Sequence, residues 1–274
     1  MSVHHPFDSL AELPTEDIRL DCAALHFARD VYPDLNILTY LGRIDTLAEE
    51  VRECRPGIAA NLRFEAMREV IVERHGYTGN ADDYYEPDNS YLNRVLDRKL
   101  GIPISLSMLW IEVGRRLNWP VSGVSFPGRF LVRFDDPERF VLADPFSDGR
   151  PLSLDDCHQL LDEQFEGKMK FAPALLDPVD SRTILVRALN NLRSIYLVHH
   201  DWARLEDVLA RLAAIDRSDG RHRLELATIR YRRGDVRRAR LDLAGAASVV
   251  TAGDEQPPVV REIRQLRTML VELN

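Results

Sequence analysis

Long apolar runs are missing from this sequence, and with them the roughly 20 consecutive hydrophobic residues that a bilayer-crossing helix needs. The stretch Met1 to Pro6 also lacks the basic-then-apolar order of a secretory leader. Both absences predict a cytoplasmic protein with no membrane partner. Cysteine is scarce: the chain has three, Cys22, Cys54 and Cys157, odd in number and far apart. That excludes a disulfide framework and a Cys-x-x-Cys metal clamp. A basic excess is missing too. The formal charge is −8, and nonspecific affinity for a phosphate backbone rests on clustered lysine and arginine that displace counterions, so nucleic acid is not an expected partner.

Against that background the arginines between Arg217 and Arg240 stand out: Arg221, Arg223, Arg230, Arg232, Arg233, Arg237, Arg238 and Arg240. A recognition face would use them, but helical spacing also brings them to acids such as Asp235 and Asp242, and a solvated, ion-paired surface is the expectation.

Residues 15 to about 75 carry helical periodicity, with Leu20, Ala23, Ala24 and Phe27 on one stripe and Ile44, Leu47, Ala48 and Val51 on another. A third helix is predicted over Ile58 to Arg74, with Leu62, Ala66, Val70 and Ile71 inward and an end at Gly76. The next stretch, Tyr77 to Ser90, is dense in Gly, Asn, Asp and Pro and reads as a loop. A short helix from Tyr91 to Leu100, capped by Ser90, is broken by Gly101-Ile102-Pro103. The helix after it, Ser105 to Leu117, is apolar all round and is predicted to run through a core. Two strands follow, Val121 to Phe134 and Phe140 to Ala143, joined by the polar turn Asp135-Asp136-Pro137-Glu138 and ending at Asp144-Pro145-Phe146.

The two prolines in residues 172–181 mark a domain boundary, dividing the chain into residues 1–175 and 176–274. The second part reads as helical throughout and repeats at a spacing of 34 residues: Leu192 recurs as Leu226, Ile195 as Ile229, Asp201 as Asp235, Leu205 as Ala239 and Leu209 as Leu243. That is the period of a tetratricopeptide repeat, whose paired helices stack to bury faces that neither pair covers alone. A last helix, Val259 to Leu273, set off by Pro257-Pro258, is predicted to cap the stack.

Asn89-Ser90, Gly101-Ile102-Pro103, Phe126-Pro127-Gly128 and Asp144-Pro145-Phe146, in this order and spacing, resemble the SirB1 family of transglutaminase-like proteins. The resemblance covers Phe64 to about Phe146 closely. It implies an α+β fold, in which a helix-rich transglutaminase-like domain with a papain-like core helix and a small antiparallel sheet precedes an all-α tetratricopeptide-like domain. Active members of the wider superfamily place a cysteine at the start of the core helix, a histidine on the next strand and an aspartate on the strand after. The thiolate attacks an acyl carbon, the imidazole relays the proton, and the carboxylate orients the imidazole.

This chain departs from that pattern twice. The start of the core helix offers Ser105 and Ser107 and no cysteine, and the motif does not decide which serine takes the cysteine's place. Arg129 stands where such sequences commonly keep histidine, and a guanidinium stays protonated near neutrality, so it cannot act as a base. Asp144 remains, and with Arg129 it forms the degenerate end of the triad, expected as a salt bridge. Of the other histidines, His75 is nearest but reads as helix-terminal. His199 and His200 are adjacent and lack the i, i+4 spacing of a metal pair.

The expectation is therefore a pseudoenzyme with no catalytic residue, no metal and no cofactor, binding a protein or peptide. Resemblance to this family implies a regulatory role. Tyr84, Tyr85, Asn89, Ser90, Pro127, Phe130 and Phe146 are the candidate binding residues, with Asp82, Asp83, Glu86 and Asp88 beside them in a pattern that fits no calcium loop. The competing expectation is a residual hydrolase or acyltransferase using Ser105 or Ser107.

Overall fold

The computed structural model describes residues 5–252 and 257–271 of the chain. Its first helix, α1 (Pro6–Ala11), has proline at the first position and a capping box in which His5 and Asp8 satisfy free backbone N–H groups. Next come α2 (Leu20–Ala28) and α3 (Ile37–Glu53), and both stripes read in the sequence are buried. No side chain of its own caps α2. Instead Glu112, from the core helix, accepts the Leu20 N–H at 2.8 Å.

After α4 (Ala60–Arg68) the chain widens into a π-helical stretch, Glu69–Arg74, and stops at Gly76, whose φ of +75° suits glycine. The buried stripe here is Ala60, Phe64, Met67 and Ile71, whereas Leu62, expected inside, is 47% exposed. It lies about 200° around the helix from Ala60, on the far side from the core.

Within the loop expected at 77–90 lies β1 (Thr78–Gly79), which pairs in parallel with β2 (Leu100–Gly101) on the other side of α5 (Leu92–Arg98). Ser90 does not cap α5. Its backbone is helical (φ −97°, ψ −18°) and an N-cap must be extended, so Tyr91 takes that place without a side-chain bond, and Ser90 Oγ is buried with no partner among the described residues.

The core helix α6 (Pro103–Arg116) is buried from Ile104 to Gly114. Trp110 packs against Phe64 and Phe134 with ring centroids 6.4 and 6.0 Å away. The first predicted strand is in fact two, β3 (Val121–Val124) and β4 (Leu131–Asp135), separated by the Phe126-Pro127-Gly128 turn. Together with β5 (Phe140–Asp144), β6 (Arg150–Leu152) and β7 (Pro178–Val179) they form an antiparallel five-stranded sheet in the order β6-β5-β4-β3-β7. In the β4–β5 turn Asp136 accepts the N–H of Glu138 and Arg139 through one oxygen and that of Ala60 through the other, which also supplies a cap to α4. Between β6 and β7, α7 (Leu154–Phe165) buries Cys157 and Leu161 against Val124, Phe126 and Leu131.

The chain then continues through α8 (Ser181–Val198), α9 (Trp202–Ile215), α10 (Gly220–Arg232), α11 (Val236–Ala252) and α12 (Pro257–Val271). Of the residues spaced 34 apart, Leu192 and Leu226, Leu205 and Ala239, Leu209 and Leu243 are all buried. His200 and Gly234, also 34 apart, both adopt positive φ at the turn between helices, +54° and +86°. Ile263 and Leu266 of α12 join Leu224, Ala227, Ala239 and Leu243 in one cluster. The predicted end of this helix at Leu273 lies outside the described residues, as do Met1 to His4.

Two compact units emerge, one spanning Thr15–Ile184 and the other formed by the described residues before Thr15 together with those from Leu185 onward. They divide nine residues beyond position 175, because β7 still belongs to the sheet. The early residues fall in the second unit because Phe7 is wholly buried and Asp8 pairs with Arg211 of α9 at 3.0 Å. Among the described residues no helix is long and apolar enough to cross a membrane.

Candidate functional site

Phe126 and Phe130 are buried at 0% and 1% exposure and anchor the turn between β3 and β4, so the residues between them are carried to the surface. Gly128 takes φ +71°, and the Gln164 side chain of α7 lies where a Cβ would stand. From this turn Arg129 Nη1 reaches Asp144 Oδ2 at 2.6 Å. Asp144 ends β5 and is 2% exposed. Its Oδ1 accepts the Phe146 N–H at 3.1 Å and its Oδ2 also accepts the Ser147 hydroxyl at 3.0 Å. The carboxylate is thus fully occupied by a cation, an amide and a hydroxyl, which is what a charge buried this deeply requires.

These two residues form one wall of a cavity of about 220 Å³. The opposite wall comes from β6 and α7, which contribute Arg150, Asp156, Gln159 and Glu163. Arg150 pairs with Asp156, and Ser153 bonds the same carboxylate, holding it below the usual carboxylate range. The sequence reading did not include this wall. Ser153 and Asp156 form a capping box, and that Ser-x-x-Asp signature was the available signal for a helix starting there.

Both serines at the head of α6 are buried against backbone groups. Ser105 is wholly buried, receives the Ile102 N–H at 3.0 Å and donates its own proton to the Asn89 carbonyl at 2.6 Å. Ser107 is equally buried and its hydroxyl lies 3.5 Å from the Phe130 carbonyl. Both hydroxyls are directed at backbone acceptors, and among the described residues neither is bonded to a base. The cavity is lined by no histidine. His75 Nε2 is 2.7 Å from Glu50, and His158 stacks on Phe171 with centroids 4.3 Å apart.

The candidate binding residues divide into two groups. Asn89, Ser90 and Phe130 are buried and hold the framework. Tyr84 and Tyr85 are exposed, and Pro127 and Phe146 half-buried. Tyr84 stands edge-on to both Tyr85 and Phe146, with centroids at 5.3 and 5.8 Å. Asp88 turns away from this group to bond Tyr32 and Arg94.

Among the described residues one set of side chains, Asp216, Asp219 and His222, comes close enough to share a metal ion. Asp219 is the N-cap of α10 and binds Arg221 at 2.8 Å, so the cluster already has its cation. The arginines of the following helices are similarly engaged: Arg230 with Glu206 and Asp242, Arg233 with Glu206, Arg238 with Asp235.

Comparison with known proteins matches residues 38–190 to the transglutaminase-like superfamily. The chain is 41% identical over 202 residues to a UPF0162 protein of Xylella fastidiosa (strain 9a5c), covering 72% of each chain. A UPF0162 protein of Vibrio cholerae is 33% identical over 136 residues, 49% of this chain and 50% of that one. F-box only protein 21 of Homo sapiens is 32% identical over 139 residues, 48% of this chain and 21% of the much longer human one. No solved structure matches significantly. The match to the superfamily covers more than half of the chain and contains the core helix, the Phe126 turn and Asp144, and with the Xylella relative it establishes that this protein belongs to the UPF0162 family of the transglutaminase-like superfamily.

Proposed function

We propose that this protein is a non-catalytic member of its superfamily, of the SirB1 type, which binds a protein or peptide at the cavity beside Arg129 and Asp144 and acts as a regulator. The observation that carries the reading is the 2.6 Å ion pair between Arg129 and Asp144. An acyl-transfer site needs a nucleophile, a base and a group that orients the base. Here the orienting carboxylate holds a guanidinium that cannot accept a proton. The buried serines, bonded to carbonyls rather than to a base, support the same reading. The helices from α8 onward act in it as tetratricopeptide-like hairpins, supported by the buried pairs spaced 34 residues apart and by the paired turns at His200 and Gly234.

Two measurements test this. A fluorophosphonate probe, under conditions that label a control hydrolase, is expected to label neither Ser105 nor Ser107; modification of either would favour the residual hydrolase instead. Affinity capture with the intact chain is expected to retain a specific protein that is lost with folded Arg129→Glu. Retention unchanged by that substitution would remove the cavity from the binding site.

A further inference from the structure

We infer that the exposed Tyr84–Tyr85 platform is the docking point for a cationic, arginine-bearing extended segment of another protein; this deepens the binding function proposed above and rests on it. Tyr85 is 69% exposed and Tyr84 39%, with Phe146 as the third ring of the group. Rings this open usually belong to a loose loop, but this loop is held from beneath. Asn89, 0% exposed, donates from Nδ2 to the carbonyl of Asp83 at 2.7 Å, and Asn80 Oδ1 accepts the Asp83 N–H at 3.1 Å. The two asparagines bond each other at 3.1 Å, and Gly79 N–H ties the base of the loop to the Phe146 carbonyl at 3.2 Å. The rings are therefore presented by fixed backbone, and a ligand need not spend binding energy on ordering them.

Charge decides the occupant. The ring faces carry negative potential, which attracts a guanidinium or ammonium. Asp82 and Asp83 lie beside them, exposed, and neither carboxylate has a hydrogen-bond or ion-pair partner among the described residues. The stretch from Tyr77 to Ser90 contains no lysine or arginine. An arginine suits this surface best, because its planar head stacks on an aromatic ring while its N–H groups reach a carboxylate. A phosphate or an acidic peptide would be repelled. Phe146, the third ring, follows Asp144 by two residues, and its N–H is bonded to that carboxylate at 3.1 Å.

The test uses the full-length protein and a fluorescein-labelled Gly-Arg-Gly-Arg-Gly-Arg peptide, followed by fluorescence polarisation, with the same peptide carrying glutamine for arginine as control. The arginine peptide is expected to bind at least about tenfold more tightly than the glutamine one, and less tightly as salt rises. Tyr85→Ala, and separately Asp82→Asn with Asp83→Asn, are expected to weaken it by about threefold or more, whereas Tyr85→Phe retains it. These positions are exposed, so unchanged melting curves certify the variants. Equal binding of the glutamine peptide, or an affinity that Tyr85→Ala and the double Asp→Asn variant leave untouched, overturns the inference. If protein capture is lost with Arg129→Glu but unaffected at Tyr85, the cavity reading survives and the arginine platform fails. Self-association of the free protein that disappears in Tyr85→Ala would make the occupant a second copy and overturn the assignment to another protein.

Discussion

Asp144 and Arg129 do not contribute equally to their pair, because one side chain is 3% exposed and the other 35%. Arg129→Ala strips the cation from a buried carboxylate that keeps the Phe146 amide and Ser147 hydroxyl, and is expected to cost about 1–3 kcal/mol in urea unfolding. Asp144→Asn leaves an arginine that water can reach and is expected to cost less. A second buried carboxylate gives a pH signature. Burial and the neighbouring Asp21 push Glu112 above the usual carboxylate range. Burial would raise Asp21 as well, but Arg19 and Arg116 outweigh it and hold that group low. A carboxyl that binds its proton more tightly folded than unfolded contributes most below its unfolded value of about 4.3, and that contribution is lost as pH rises through the folded value. Melting temperatures compared from pH 4 to 7 are therefore expected to show a decline in the wild type that Glu112→Gln lacks. Much of this level was readable in advance. The Arg129–Asp144 pair was expected as a salt bridge from the letters alone, since the side-chain chemistry follows from residue type. That Ser105 donates to Asn89 and that Ser90 caps nothing were not, because both depend on backbone geometry set by distant packing.

Strands and helices were legible where periodicity was strong. The core helix α6 and the stripes of α2 and α3 required only spacing and a run of apolar side chains. Elements of two or three residues escaped, because β1, β2, β6 and β7 are too short to show alternation and exist through their partners. The split of β3 from β4 was signalled by Pro127-Gly128, which a continuous strand tolerates poorly. β1 has a steric requirement of its own: a Cβ on Gly79 would stand 2.4 Å from both the ring and the carbonyl oxygen of Phe146. Gly79→Ala is expected to destabilise the protein by about 1–3 kcal/mol, because the carbonyl is backbone and cannot swing aside. Chemical denaturation measures the loss.

For the molecule as a whole, prolines suggested a division at residue 175, whereas the compact units divide after Ile184, and the assignment of α1 to the second unit was not readable, since no local pattern tells a short amphipathic helix which distant surface it will cover. Phe7→Ala is expected to remove about 3–5 kcal/mol from the unit that contains α9, while the Thr15–Ile184 unit keeps its stability. Differential scanning calorimetry resolves this if the two transitions separate in the variant, and a single transition shifted as one block would refute it. The same arrangement imposes an order on biosynthesis. A ribosome adding roughly 5–20 residues per second makes α1 long before the helices it packs against, so Phe7 remains uncovered for many seconds after leaving the exit tunnel. The Thr15–Ile184 unit has all of its residues available well before then. The nascent chain thus carries an uncovered aromatic side chain throughout translation of the middle, and that segment offers a handle to a co-translational chaperone.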